Sequence, residues 1–377
     1  MINRYITDSI VQSLVPGRVT VLFGARRTGK TTLINSIADK LSEKRVLKLN
    51  GEDLTVAEIL ASGRREVLQS LTKGYDCIII DEAQSISGIG KNLKLLIDSR
   101  PDISILATGS ASFDLRNQIG EPLTGRSVYF LLYPFACGEL GMDYLETQRS
   151  ISDLLIYGAY PQVFLSKNNK EKRLLLENIK NGYLLKDVLL LDNLKDSLFV
   201  LHLLRLVAFQ IGNEVSFNEL ASQLGSTVKT VQRYLDILEK TFVIFRLNGF
   251  SRNLRKEITK SPRYYFWDNG IRNVIINNLN PIEQRDDTGK LWENYCVSER
   301  VKKQVYLQKF SDFHFWRTYD QQEIDLIEIT EGSMSAFEFK WNLKNVRIPT
   351  AFKNHYPDAK FMVINRENLL DFLNLQE

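Results

Sequence analysis

Short apolar runs alternate with helix-like segments through the N-terminal part of the chain. Five of these runs predict strands, at residues 19–23, 45–50, 75–82, 103–107 and 127–132. After the first run, Leu33, Ile34 and Ile37 recur at helical spacing. Buried strands that alternate with helices are typical of a parallel sheet covered by helices on both faces. The pattern therefore predicts an α/β core over residues 1–142.

The turn between the first strand and its helix has glycines and a lysine at fixed positions. Residues 24–31 match the pattern G-x-x-x-x-G-K-[ST]. Its glycines let backbone N–H groups face a phosphate chain, Lys30 reaches the β- and γ-phosphates, and Thr31 binds Mg²⁺. ATP and Mg²⁺ are therefore the expected cofactors. The predicted cofactor-binding residues of this loop are Gly24, Arg27, Thr28, Gly29, Lys30, Thr31 and Thr32.

The third predicted strand ends in two carboxylates, Asp81 and Glu82. Ligands of parallel sheets bind at the carboxyl ends of the strands, so these side chains should lie beside the phosphate loop. We expect Asp81 to hold Mg²⁺ through water and Glu82 to polarise the attacking water as the catalytic base. Ser110 follows the next strand, where it either senses the γ-phosphate or caps the following segment.

Further motifs extend this pattern towards a known family. They are Leu123-Thr124-Gly125-Arg126, Tyr133-Pro134-Phe135 with Glu139, and Gly158-Ala159-Tyr160-Pro161. With the phosphate loop, they make nearly the whole chain resemble archaeal and bacterial AAA+-type ATPases that carry a C-terminal domain of unknown function. The resemblance implies that Gly158 and Pro161 contact the nucleotide base. Arg126 either stabilises transition-state charge, in its own or a neighbouring subunit, or is a surface arginine.

Two different patterns follow the core. Residues 143–195 have helical apolar spacing and predict a helical lid over the nucleotide edge.

Residues 196–267 predict a winged helix-turn-helix, in which two helices and a turn at Gly225-Ser226 precede a helix from Thr227 and two wing strands. Between Ser226 and Arg263 there are nine basic and three acidic residues. This local excess favours DNA as a partner, and the alternative is a protein-docking module. The basic residues are Lys229, Arg233, Lys240, Arg246, Arg252, Arg255, Lys256, Lys260 and Arg263.

The C-terminal segment, residues 268–377, predicts a helix, three strands, a helix and a strand. Strand alternation places Glu338 and Lys340 on one face, and hairpin pairing brings Asp325 beside them. These residues resemble the Asp, Glu-x-Lys core of the PD-(D/E)XK nuclease superfamily, and Glu293 matches its helix glutamate. The resemblance implies a restriction-endonuclease-like α/β domain in which Glu293, Asp325 and Glu338 bind metal and Asp325, Glu338 and Lys340 are catalytic. Whether the domain is a working nuclease or a retired fold stays open.

Composition changes this picture little. The three cysteines are scattered singly, which favours a reducing compartment and core thiols. No apolar run approaches ~18 residues, so we expect a cytoplasmic protein without a membrane partner. The whole chain carries a formal net charge of only +4. The sequence predicts an ATP-hydrolysing ATPase coupled to DNA binding and to metal-dependent cleavage. The alternative is a nucleotide-switched regulatory ATPase whose C-terminal half binds protein, and a homo-oligomer is left open.

Overall fold

In the computed structural model, the chain divides into two compact units. The first unit is Met1–Tyr133 with Lys240–Phe242, and the second is Pro134–Glu239 with Val243–Glu377. The structure describes residues 2–110, 122–184, 197–251, 261–318, 320–342 and 346–373.

A parallel sheet forms the centre of the first unit. Within the described residues it has five strands in the order β2-β3-β4-β1-β5. They are β1 Val19–Phe23, β2 Val46–Asn50, β3 Cys77–Asp81, β4 Ser104–Gly109 and β5 Ser127–Leu131. All neighbouring pairs run parallel, which confirms the predicted α/β core.

Burial explains why these runs form strands. Every residue of β1 and of β4 is buried, as expected for central strands covered by helices on both faces. The described α-helices of this unit are Thr7–Ser13, Lys30–Lys40, Leu54–Ala61, Arg65–Leu71 and Ile89–Ser99. Because the strands are parallel, their carboxyl ends share one edge of the sheet, and that edge positions the site described below.

The second unit combines helices with a mixed sheet. Its longer helices are Tyr144–Tyr157, Asn169–Ile179, Ser197–Phe209, Val228–Lys240 and Thr288–Tyr306. Shorter helices span Pro161–Leu165, Phe217–Gln223, Asn269–Ile275, Thr350–His355 and Leu369–Leu373. The last part of the predicted lid, residues 185–195, lies outside the described residues.

The described strands of the second unit join in the order β11-β10-β9-β8-β6-β7. They are β6 Ile244–Gly249, β7 Arg263–Phe266, β8 Ser311–Arg317, β9 Glu323–Thr330, β10 Ser333–Phe339 and β11 Lys360–Ile364. The order of helices and strands predicted for residues 288–364 is confirmed, with shifts of one or two residues at most strand ends.

The sequence did not predict that one sheet runs through the predicted wing and the C-terminal strands. The antiparallel hairpin β6–β7, expected as a separate wing, belongs to the same sheet as the C-terminal strands. The reason is that β6 continues past Leu247, and Asn248 and Gly249 pair in parallel with His314 and Phe315 of β8. The predicted domain boundary between residues 267 and 268 therefore separates β6 and β7 from the other strands of their sheet. The domain boundaries stay predictions.

The cysteines and the helices bear on two expectations from composition. Cys77, Cys137 and Cys296 are buried and free of disulfides, as predicted. Across the described ranges, no helix combines the length and apolarity needed to span a bilayer.

Candidate functional site

The phosphate loop joins β1 to the Lys30–Lys40 helix, as the sequence predicts. Gly29 has a φ of +95° and Arg27 a φ of +63°, both in the left-handed region. At Gly24 a Cβ atom would lie 2.3 Å from the carbonyl oxygen of Leu132, so only glycine fits there. The loop therefore curls as an anion-binding loop must, with the start of a helix directly behind it.

Lys30 is buried within its own loop. Its Nζ donates hydrogen bonds to the carbonyl oxygens of Gly24, at 2.9 Å, and Ala25, at 3.1 Å. Arg4 supports the loop from the N-terminal segment, since its guanidinium donates to the carbonyl oxygens of Thr28, at 2.8 Å, and Tyr133, at 2.7 Å. Sequence reasoning missed Arg4, because it lies outside the motif and its role depends on a turn more than 100 residues away.

Asp81 connects three elements at the carboxyl edge of the sheet. Its Oδ2 accepts a hydrogen bond from the Thr31 hydroxyl at 2.7 Å, and its Oδ1 accepts one from the Thr108 hydroxyl. The structure thus brings the two predicted Mg²⁺ ligands together. Thr108 was missed as a partner because the sequence favoured Ser110. The strand register supplies the reason, since Ile80 pairs with Ala107 and Thr108 then lies opposite Asp81.

Glu82 lies next to Asp81 in an unusual backbone conformation. Its φ of +50° is in the left-handed region, which is strained for a residue with a side chain. Gln84 donates from its amide to the Glu82 carboxylate and, at 3.3 Å, to the Ser110 hydroxyl. Gly51 packs against this turn, because a Cβ there would lie 2.5 Å from the carbonyl oxygen of Glu82. Gln84 and Gly51 are further residues that sequence reasoning missed.

The oxygen atoms at this edge fit Mg²⁺. The Thr31 hydroxyl and the Asp81 carboxylate are hard donors that already touch each other, and Thr31 is exposed at the start of the helix. Mg²⁺ in such sites takes one or two protein oxygens together with phosphate oxygens and water. Thr32 is also exposed on the first helical turn.

Arg126 does not lie at this site, which corrects its prediction as a catalytic residue of its own chain. It precedes β5, and its carbonyl oxygen accepts from the Val19 N–H at the amino edge of the sheet. Its guanidinium pairs with Asp98. Because β5 separates it from the carboxyl edge by about 16 Å, the side chain does not reach the phosphate loop. A role towards a neighbouring subunit stays a prediction.

Gly158 and Pro161, predicted to contact the base, lie in the second unit. The Asp268 carboxylate accepts the N–H of Ala159 at 2.7 Å, and burial raises its pKa. Gly158 has a φ of +72°, and a Cβ there would lie 2.0 Å from an Asp268 oxygen. Pro161 begins the Pro161–Leu165 helix. These contacts explain the turn by packing, and base contact stays a prediction.

The nuclease-like residues come together on the sheet of the second unit, as predicted. Asp325 Oδ2 accepts the N–H of Phe339 at 2.9 Å, and Lys340 Nζ donates to Glu338 Oε1 at 2.6 Å. Burial raises the pKa of Asp325 well above its usual range, and the Glu293 and Glu338 carboxylates raise it further. Burial alone would lower the pKa of Lys340, but the hydrogen bond to Glu338 and the nearby carboxylates raise it above its ordinary value.

A buried arginine lies among these carboxylates. Arg263, with 3% of its side chain exposed, places Nη1 3.7 Å from Glu293 Oε1 and 4.0 Å from Asp325 Oδ1. Its Nη2 donates to Glu323 Oε2 at 2.9 Å. Burial alone would lower the pKa of Arg263, but Tyr265 and the carboxylates raise it above its ordinary value. Arg263 is thus removed from the basic surface predicted for DNA.

The predicted metal ligands Glu293, Asp325 and Glu338 lie close enough for their carboxylates to raise the pKa of Asp325. In the part of the chain that the structure describes, no group of three His, Cys, Asp or Glu side chains could hold a metal ion. The guanidinium of Arg263 supplies positive charge beside Glu293 and Asp325. The residues converge, and metal binding by them stays a prediction.

The predicted DNA-facing helix spans Val228–Lys240 and has an apolar face that packs inwards. Lys229 and Arg233 are exposed, as predicted. With Arg246 they line a cavity of about 350 Å³ that also includes Asp236 and Glu239. Four other predicted basic residues lie outside the described residues, namely Arg252, Arg255, Lys256 and Lys260.

Comparison with known families agrees with the nucleotide site. A family model described as an AAA domain matches residues 16–141. Two models described as domains of unknown function match residues 148–282 (DUF8612) and residues 288–374 (DUF4143). The first match and the loop geometry together support an AAA-type, nucleotide-binding P-loop core followed by a C-terminal region of unknown function.

Individual proteins are similar over most of the chain. An uncharacterized protein of Methanocaldococcus jannaschii is 24% identical in an alignment 402 positions long, which covers 98% of this chain and 90% of that protein. A Walker-type ATPase of Pyrococcus abyssi is 16% identical, covers 73% of this chain and 96% of its own, and has a TM-score of 0.48. AMPPCP-bound DnaA from Aquifex aeolicus is 17% identical, with coverages of 62% and 86% and a TM-score of 0.31.

The Thr108 hydroxyl should matter for Asp81 beyond its contribution to stability. We expect Thr108→Val to weaken Mg²⁺-dependent nucleotide binding, because Asp81 loses a donor that orients its carboxylate. Thr20→Val is the matched control, since Thr20 is also a buried threonine of this sheet and its hydroxyl contacts Ser13. Each change should cost about 1 kcal/mol of unfolding free energy. Calorimetric titration with ATP and Mg²⁺ should show weaker binding for Thr108→Val than for Thr20→Val. Equal affinities of the two variants would contradict the role of Thr108.

Proposed function

We propose that this protein hydrolyses ATP with Mg²⁺ at the carboxyl edge of its parallel sheet and couples the reaction to DNA binding. The observation that carries the first part is the 2.7 Å hydrogen bond between Thr31 and Asp81, next to Lys30 of the phosphate loop. A hydroxyl, a carboxylate and an ammonium group thus lie together at a helix N-terminus, which supports phosphate binding there.

Lys30 and the loop would bind the phosphates. The Lys30 ammonium donates to two neutral carbonyl oxygens, of Gly24 and Ala25. Hydrogen bonds between two charged groups are shorter and stronger than those to a neutral acceptor, so a triphosphate is a better partner for this ammonium. Nucleotide binding would therefore transfer Lys30 from the loop carbonyls to phosphate oxygens.

Thr31 and Asp81 would hold the Mg²⁺, which supplies charge neutralisation for the phosphates when it is bound. Glu82 is the proposed base. Its backbone strain and its hydrogen bond from Gln84 keep the carboxylate next to Asp81 in a defined orientation. A carboxylate held in this way can accept a proton from an attacking water. Because Gln84 also donates to Ser110, it links the base to the end of the neighbouring strand.

DNA binding is proposed from the exposed face of the Val228–Lys240 helix. Lys229 and Arg233 are exposed side by side on a helix whose other face is buried, as expected for phosphate contacts. The helix follows the Phe217–Gln223 helix after a short turn, which is helix-turn-helix order. The hairpin β6–β7 supports a winged variant of that arrangement.

A second candidate is that this surface binds protein in a nucleotide-switched regulatory ATPase. The observation that favours it is the presence of Asp236 and Glu239 in the same cavity as Lys229 and Arg233. Mixed charges suit a polar protein partner, whereas a phosphate backbone is repelled by carboxylates.

Substitution of Glu82 tests the hydrolytic step. Glu82→Gln keeps the size and polarity of the side chain but removes the base, so we expect ATP to bind while turnover falls by about 10²–10³-fold. Lys30→Ala should abolish nucleotide binding itself. Glu66→Gln, an exposed glutamate of the same unit, is the matched control and should hydrolyse ATP like the unchanged protein. Steady-state phosphate release and fluorescent-nucleotide binding measure the two effects. Turnover by Glu82→Gln at the unchanged rate would exclude Glu82 as the base.

Substitution of the helix face tests DNA binding. With both Lys229 and Arg233 changed to Ala, we expect weaker binding and a salt dependence shallower by about two phosphate contacts. Lys167→Ala with Lys170→Ala removes the same charge from another exposed place in the same unit and should change binding little. Fluorescence anisotropy at several salt concentrations gives both slopes. If the two double variants behave alike, or if no DNA binds at low salt, the protein-binding candidate is favoured instead.

A further inference from the structure

We infer that the buried guanidinium of Arg263 is the resident cation of the acidic cluster formed by Glu293, Glu323, Asp325 and Glu338. The cluster would then be an internal ion-pair network, so the C-terminal domain would cut no phosphodiester by metal-activated water. This inference is independent of the nucleotide site.

The first support is the position of Arg263. One of its nitrogens lies 3.7 Å from Glu293 Oε1 and 4.0 Å from Asp325 Oδ1, and another donates to Glu323 at 2.9 Å. A divalent cation shared by Glu293 and Asp325 would lie close to this guanidinium. Two cations that share the same carboxylates repel each other strongly in a buried setting, so metal and arginine exclude each other.

The second support is that the carboxylates already accept hydrogen bonds from groups of this chain. The Tyr265 hydroxyl donates to Glu293 Oε1 at 2.7 Å, and the N–H of Phe339 donates to Asp325 Oδ2 at 2.9 Å. The Lys340 ammonium donates to Glu338 Oε1 at 2.6 Å. Metal binding would have to replace several of these hydrogen bonds as well as the arginine.

The third support is that Arg263 is held in place. Its guanidinium carbon lies 4.4 Å from the centre of the Phe315 ring, within cation–π distance. Arg263 is the first residue of β7, and its backbone pairs with Leu247 of β6. To leave the cluster, this buried charge would have to lose its carboxylate partners, which is strongly unfavourable.

Manganese binding by the full chain without nucleotide tests the inference, with electron paramagnetic resonance as the measure of free Mn²⁺. We expect the unchanged protein and Asp325→Asn to bind the same amount of Mn²⁺. Arg263→Gln should gain one Mn²⁺ per chain, because the carboxylates lose their cation, and a second change, Asp325→Asn, should remove that gain. Arg317→Gln is the matched control, since Arg317 pairs with Glu214 near the same sheet, and it should gain none.

Two results would overturn the inference. One is a loss of bound Mn²⁺ from the otherwise unchanged protein on Asp325→Asn. The other is nicking of supercoiled DNA with Mg²⁺ or Mn²⁺ that Asp325→Asn abolishes. Both comparisons leave Arg263 in place, so they decide the question even where Arg263→Gln does not fold. A folded Arg263→Gln protein that gains no Mn²⁺ would also count against the arginine as the competing cation.

Discussion

The carboxylate of Asp81 is the contact on which the nucleotide site depends. It accepts hydrogen bonds from Thr31 at the start of a helix and from Thr108 at the end of the neighbouring strand. The parallel sheet makes this possible, because β1, β3 and β4 all end at one edge. The left-handed turn at Glu82 and the close packing of Gly51 against it lie at the same edge.

The second sheet uses acidic residues for a different purpose. At the first site the carboxylate contacts neutral hydroxyls, which can be replaced by a metal ion at little electrostatic cost. At the second, Glu323 and its neighbours contact the buried Arg263, which contributes a full positive charge. In our proposal, similar acidic strand residues thus serve a ligand site in one unit and an internal network in the other. The difference lies in what the protein itself supplies as a counter-charge.

Sequence predicted local features well and distant partners poorly. The phosphate loop and the strand ending at Asp81 were predicted because their patterns are local to a few residues. Thr108 was missed because its role depends on the register between β3 and β4. Arg126 was misplaced because the sequence motif does not say which edge of the sheet it occupies. Arg263 was counted as surface charge because Glu323, its partner, lies 60 residues further along the chain.

A crystal structure of the full chain with Mn²⁺ and a non-hydrolysable ATP analogue, using anomalous scattering from the metal, is the most direct test. We expect an anomalous peak next to Thr31 and Asp81, with Lys30 turned from the loop carbonyls to the phosphates. We expect no peak at Glu293 and Asp325, beside Arg263. Nucleotide bound elsewhere, with Lys30 still on Gly24 and Ala25, would contradict the proposed ATP site.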